Sequence, residues 1–99
     1  MWTTKIRNGS LLLTADGATD NFQLPNNGCF WCLLYAPPTN NGIVYVGGST
    51  VTNAGGANVG FPLAKGETLL LGPVENVDEI FAAADVKGDS IFFMCRTGN

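Results

Sequence analysis

Histidine is absent from the 99 residues. A Ser-His or Cys-His nucleophilic pair is therefore out of reach. Charge is scarce as well: Asp, Glu, Lys and Arg make up 13% of the chain, against nearer a quarter in ordinary globular domains. The five basic residues, Lys5, Arg7, Lys65, Lys87 and Arg96, form no cluster, and the net charge is −3. Phosphate neutralisation needs many cations together, so no nucleic-acid partner is expected. No apolar run approaches the length of a membrane span, and no membrane partner is expected. The opening Met-Trp-Thr-Thr-Lys lacks the basic-then-apolar order of a signal peptide, which leads to the expectation of synthesis in a cytosol.

Cysteine is limited to Cys29, Cys32 and Cys95. The first two have C-x-x-C spacing but sit in Cys-Phe-Trp-Cys-Leu-Leu-Tyr, a strand-like run. Strand residues three apart face opposite ways, so the two sulfurs are expected to diverge. A zinc site would need two more ligands, and only one other cysteine exists. No metal and no cofactor is expected. Buried free thiols are the expectation; an intermolecular disulfide in an assembly is the sharper alternative, since an odd cysteine is left over.

What the chain does have is apolar residues (45%), glycine (13) and many asparagines. It is organised around residues 42–71. A compact run, Ile43-Val44-Tyr45-Val46, is stopped by Gly47-Gly48. A polar, glycine-loaded loop follows, and the chain returns through Phe61-Pro62-Leu63, turns at Lys65-Gly66, and leaves as Thr68-Leu69-Leu70-Leu71. Before this unit, residues 10–14 and 19–24 read as strands, separated from residues 29–36 by the Pro25-Asn26-Asn27-Gly28 turn. The almost wholly apolar 29–36 suits a central strand covered on both faces. After it, residues 76–84 fit either a helical turn capped by Asn76 and Glu79 or a turn leading into a strand at 80–84. Residues 85–89 form a turn and 90–96 a last strand. About seven or eight short strands at such spacing predict an all-β, small antiparallel β-sandwich, jelly-roll-like or barrel-like, with little or no helix. The length is that of one domain, 1–99.

No catalytic residue is expected. The carboxylates lie mostly in turns, where solvation or Asx-turn formation is the usual role. Gly47-Gly48-Ser49 lacks the Gly-Lys-Ser/Thr ending of a phosphate loop. Low charge with a positive mean hydropathy points to a surface covered by partners, or else to a neutral, polar one.

The succession Leu24-Pro25, Ala36-Pro37, Gly42-Ile43-Val44-Tyr45-Val46-Gly47-Gly48-Ser49, Val51-Thr52, Gly60-Phe61-Pro62-Leu63, Gly66-Glu67, Val77-Asp78-Glu79-Ile80-Phe81 and Gly88-Asp89 resembles small tailed-bacteriophage virion structural proteins over roughly residues 10–95. The resemblance implies a β-sandwich module without catalytic residues, commonly trimeric, and a strand at 80–84. It implies a capsid decoration or cement protein that binds at capsomer junctions, with the major capsid protein and copies of itself as partners, on the capsid surface of the virion. The alternative is a receptor- or glycan-binding module of a tail or head fibre, which exposed Tyr45 or Trp31 with a rim of asparagines would favour. Residues 1–9 are the only stretch placed to act as a contact arm. The contact residues expected on this reading are Trp2, Ile6, Ser49, Thr50, Asn53, Asn58 and Phe61. Trp31 is a further anchor, core packing being the preferred reading for it.

Overall fold

The computed structural model describes residues 5–18, 20–54 and 56–97. Eight strands are present among them: β1 (Lys5–Leu12), β2 (Phe22–Gln23), β3 (Trp31–Tyr35), β4 (Val44–Gly47), β5 (Phe61–Leu63), β6 (Thr68–Leu71), β7 (Phe81–Ala84) and β8 (Ser90–Thr97). They form two four-stranded antiparallel sheets, β1-β8-β3-β6 (sheet A) and β2-β7-β4-β5 (sheet B). This is the strand order of a jelly roll. The fold class expected from the sequence is the one observed.

The two sheets share one layer of side chains. Leu13, Cys32, Leu34, Ile91 and Cys95 meet Leu24, Val44, Leu63 and Val77, all fully buried. Strand alternation puts every second residue into this layer. Thus Cys32 and Leu34 of β3 are buried, while Trp31 is exposed and Leu33 and Tyr35 are half-buried. The expectation that residues 29–36 are covered on both faces is therefore corrected, and so is core packing for Trp31. A two-layer sandwich offers a strand only one buried side unless a loop covers the other, and none of the described loops covers β3.

Both alternatives for 76–84 contribute. Val77–Glu79 form a single 3-10 turn, with Asn76 Oδ1 accepting from Asp78 N at 3.0 Å and Glu79 Oε2 accepting from Asn76 N at 3.0 Å. β7 follows at once. The turn stops because Ile80 is already extended and Phe81 enters the ladder opposite Gln23 and Gly47. At the start of the chain, residues 5–9 lie in β1, in unbroken antiparallel register with β8 from Lys5↔Thr97 to Leu12↔Ser90. That part of the expected arm is sheet.

The crossing from β3 in one sheet to β4 in the other is pinned by two buried polar side chains. Asn40 Nδ2 donates to Ser90 O at 2.8 Å, and its Oδ1 accepts from Ser90 N at 2.9 Å, so the amide pairs with β8 as another strand would. Asp89 accepts from Asn41 N (2.9 Å) and Gly42 N (2.8 Å). Asp89 is only 2% exposed, so the expectation of a solvated turn carboxylate is corrected for it. Asp89→Asn places an NH2 group against one of those two donors. Chemical denaturation should show a loss of about 1–3 kcal/mol, the cost of an unmet buried polar group; a change within a few tenths would show that the loop does not depend on the carboxylate.

Candidate functional site: the outer face of sheet A

Outward-facing residues of the central strands build one surface. The register sets Ile6, Arg96 and Trp31 side by side, then Asn8, Met94, Leu33 and Leu70, then Ser10, Phe92, Tyr35 and Thr68. Arg96 is the one charged residue in these three rows. Exposure is high for side chains of this kind: Ile6 69%, Leu70 60%, Met94 47%, Phe92 41% and Trp31 40%. Taking ~200 Å² for a large apolar side chain, these leave roughly 500 Å² of apolar surface in water. That is at the upper end for the largest patch on a monomer, and patches of this size are commonly functional.

The face has relief. A shallow depression of about 240 Å³ lies between Ile6, Trp31, Leu33, Leu70, Met94 and Arg96. The Trp31 ring forms one wall and is held from both sides. Phe30 meets it edge-on, with centroids 5.9 Å apart and planes at 85°. On the other side its six-membered ring lies against Gly72, where a Cβ would overlap it. Further along the face, Phe92 and Tyr35 make a cross-strand aromatic pair at 6.3 Å.

Sheet B differs. Loops fold over its outer side near β7: Gly17 N donates to Ala84 O (2.9 Å), Thr52 Oγ1 donates to Gly17 O (3.1 Å), and Ala83 is fully buried. The contiguous apolar surface built from strand rows is therefore that of sheet A, and Phe61 stands exposed on β5 of sheet B.

The residues expected from the sequence as contacts do not converge. Ile6 is on the face just described. Ser49, Thr50 and Asn58 are exposed in the β4–β5 connection, and Phe61 is exposed at the end of edge strand β5, beside Val46. Asn53 lies in the same connection, but its amide is turned inward, donating to Asp85 Oδ1 (2.9 Å) and Ala84 O (3.3 Å). Trp2 lies outside the described residues. Leu70, Met94 and Phe92 were missed. Each sits in a run that reads as continuous apolar sequence, and only the pairing shows which members face out.

The connection borders a polar depression of about 290 Å³, lined by Asp20, Asn21, Thr50 and Thr52 among others, none of them aromatic. Both donors of the Asn21 amide are committed, to Ser49 O (2.9 Å) and Val51 O (3.1 Å). The amide thus holds the loop and has no donor left for a ligand.

The three thiols gather in the core at the Trp31 end of the sandwich. Cys32 and Cys95 are register partners. Cys29 lies before β3, beyond a bend at Phe30, and its Sγ donates to Trp31 O at 3.0 Å. The bend breaks the strand alternation, so Cys29 and Cys32 both point inward; the expected divergence is corrected. All three are free and buried. No group of side chains suited to a metal ion occurs among the described residues.

Comparison with known families, characterised proteins and solved structures returns no match, so the site is read from its own geometry.

Burial first, and the nearby Cys95 next, push Cys29 from 9.0 up to about 12 and Cys32 up to about 11, the rise at Cys32 being partly offset by its hydrogen bond with Cys29. Unfolded thiols ionise above the ordinary value while the folded ones stay neutral, so stability is lost as pH rises from about 9 towards 11–12. Urea midpoints should fall over that range, and the fall should be shallower in Cys32→Ala. A parallel fall in both proteins would refute the assignment.

Proposed function

We propose that this chain is a non-enzymatic virion structural protein, a capsid decoration protein that lies on the head at capsomer junctions. The observation that carries the reading is the uncovered apolar face of sheet A, with one charged residue, Arg96, among its three central rows. Desolvating charges at an interface is costly, and a partner protein covering this face meets few of them. Resemblance to tailed-phage structural proteins supplies the setting. Jelly rolls are frequent in viral capsids, though they also serve lectins, so the fold by itself is only analogy.

Magnitudes favour a many-copy lattice. Burying roughly 500 Å² at ~25 cal/mol/Å² gives ~12 kcal/mol gross. Association consumes ~4–15 kcal/mol of that. One copy on one isolated partner is therefore held weakly, whereas neighbours on a rigid shell raise each other's effective concentration. The glycan-binding alternative fits the site less well. The depression beside Trp31 is rimmed by Ile6, Leu70 and Met94, not by asparagines.

Tailed particles purified by density should carry the chain at on the order of hundreds of copies, as junction sites require. Leu70→Lys with Met94→Lys should abolish co-sedimentation while moving stability by no more than ~0.5 kcal/mol per site. A handful of copies per particle, or full retention of the double variant, would refute the decoration reading.

A further inference from the structure

The long edge of sheet A has an arrangement that the outer face does not explain. Edge strands in this fold are β1, β6, β2 and β5. β2 has two residues, β5 carries Pro62, and β6 has four residues. Short edges, proline and charged side chains are the usual guards against pairing with another chain. β1 has eight residues, with no proline and no break in its register with β8, and its two charges, Lys5 and Arg7, fall in its first three residues, leaving Asn8 to Leu12 without any.

The direction of its backbone groups can be read from its end. Leu13 N donates to Asp89 O at 2.8 Å, and Leu13 O accepts from Gly88 N at 2.7 Å, so Leu13 faces β8. Antiparallel ladders alternate, so Leu11, Gly9 and Arg7 face β8 as well. On the far side of β8, Arg96 O accepts from Phe30 N, which fixes the same parity independently. The N–H and C=O groups of Ile6, Asn8, Ser10 and Leu12 consequently point out of the sheet along its open edge, and all four residues are exposed.

These four residues are symmetric about Gly9. From one end they read large apolar, small polar, small polar, large apolar. We propose that β1 is a self-association edge: a second copy of this chain adds its own β1 antiparallel across a two-fold axis at Gly9. Ile6 then lies opposite Leu12 of the second copy, and Asn8 lies opposite Ser10 of the second copy. All four outward residues enter hydrogen-bonded pairs, about eight bonds in total. The large apolar side chains meet each other on the outer face, where Ile6 and Leu12 are now 69% and 56% exposed. An axis at Asn8 or Ser10 instead sets Ile6 opposite Ser10 or Leu12 opposite Asn8, mismatching apolar with polar. The two Arg7 side chains fall four residues apart, ~13 Å, beyond the Debye length at physiological salt.

The interface is isologous, as two-fold association requires. It meets the outer face only at Ile6, which also walls the depression beside Trp31. Pairing joins the two copies' sheets edge to edge and leaves Trp31, Leu70 and Met94 of both accessible.

Sedimentation equilibrium from micromolar to millimolar concentration tests the proposal. The wild-type chain should be a dimer with amides of Ile6, Asn8, Ser10 and Leu12 protected from hydrogen exchange. Ser10→Pro removes an outward N–H without touching the β1–β8 ladder and should weaken dimerisation at least tenfold, with two hydrogen bonds lost per dimer. Ile6→Lys with Leu12→Lys places like charges across the axis twice and should give monomers. Ile6→Lys with Leu12→Glu places opposite charges there twice and should restore the dimer. That rescue is particular to the Gly9 axis and needs no proline to fold. A monomeric wild-type chain, or equal behaviour of the two charge variants, overturns the proposal. A dimer that survives Ser10→Pro but is dissolved by Leu70→Lys with Met94→Lys also overturns it, and assigns self-association to the outer face. Particle binding without dimers sinks the edge alone; dimers without particle binding sink only the decoration reading.

Discussion

Two sheets joined through a single layer of side chains give each strand one dry side, and leave the other to solvent unless a loop, as over β7, or a partner covers it. The constraint is geometric, since alternate residues of a strand leave on opposite faces. β3 is the strand on which it bears hardest. Its inward residues, Cys32 and Leu34, complete the core with Ile91 and Val44. Its outward residues, Trp31, Leu33 and Tyr35, are largely apolar too, yet among the described residues no third layer lies above them. The isolated chain gains little from Leu70 or Met94, which stay largely in water. Stability of the monomer therefore does not account for them, whereas the proposed contact with another protein would.

Scarcity of charge shapes the rest. Side-chain amides close many of the polar gaps of the loops. Asn40 extends the β8 ladder across the sheet-to-sheet crossing, Asn21 and Asn53 tie the β4–β5 connection to the body, and Asn76 caps the turn before β7. An amide carries both donors and acceptors on one short arm, so it can substitute for a missing stretch of backbone where a carboxylate or ammonium cannot. Carboxylates serve where backbone N–H groups need an acceptor: Glu79 and Glu67 do so at exposed turns, and the buried Asp89 accepts from two such groups without a cation. Such loops are held without the long-range fields that would repel or attract a partner.

Much of this was legible beforehand, and the physical reason differs element by element. Gly47-Gly48, Pro25 to Gly28 and Lys65-Gly66 mark their turns because glycine and proline restrict the backbone locally, without reference to the rest of the fold. The sandwich and β4, β5 and β6 followed from those marks. Features that depend on distant residues were not readable. Lys5 to Asn8 looks too polar for a strand and becomes one because β8 supplies its ladder. Phe30 bends the chain by a single residue, and that is enough to bring Cys29 in beside Cys32. Asp89 reads as a turn carboxylate until the crossing at 40–42 folds onto it. Period two is likewise invisible in a run with no polar member, which is why Leu70, Met94 and Phe92 could not be placed on a face.

Edge and face bear on each other through Ile6, which lies on β1 and also walls the depression beside Trp31. Joining two sheets at the Gly9 axis would bring the apolar faces of two copies onto one continuous sheet. Each face taken singly is marginal once association costs are met. Two carried on one rigid body turn the second contact into an intramolecular event, and the gain needs no new residue. The twist of adjoining strands would also tilt the two faces relative to each other. A pair so linked fits a curved or repeating surface better than a single flat partner.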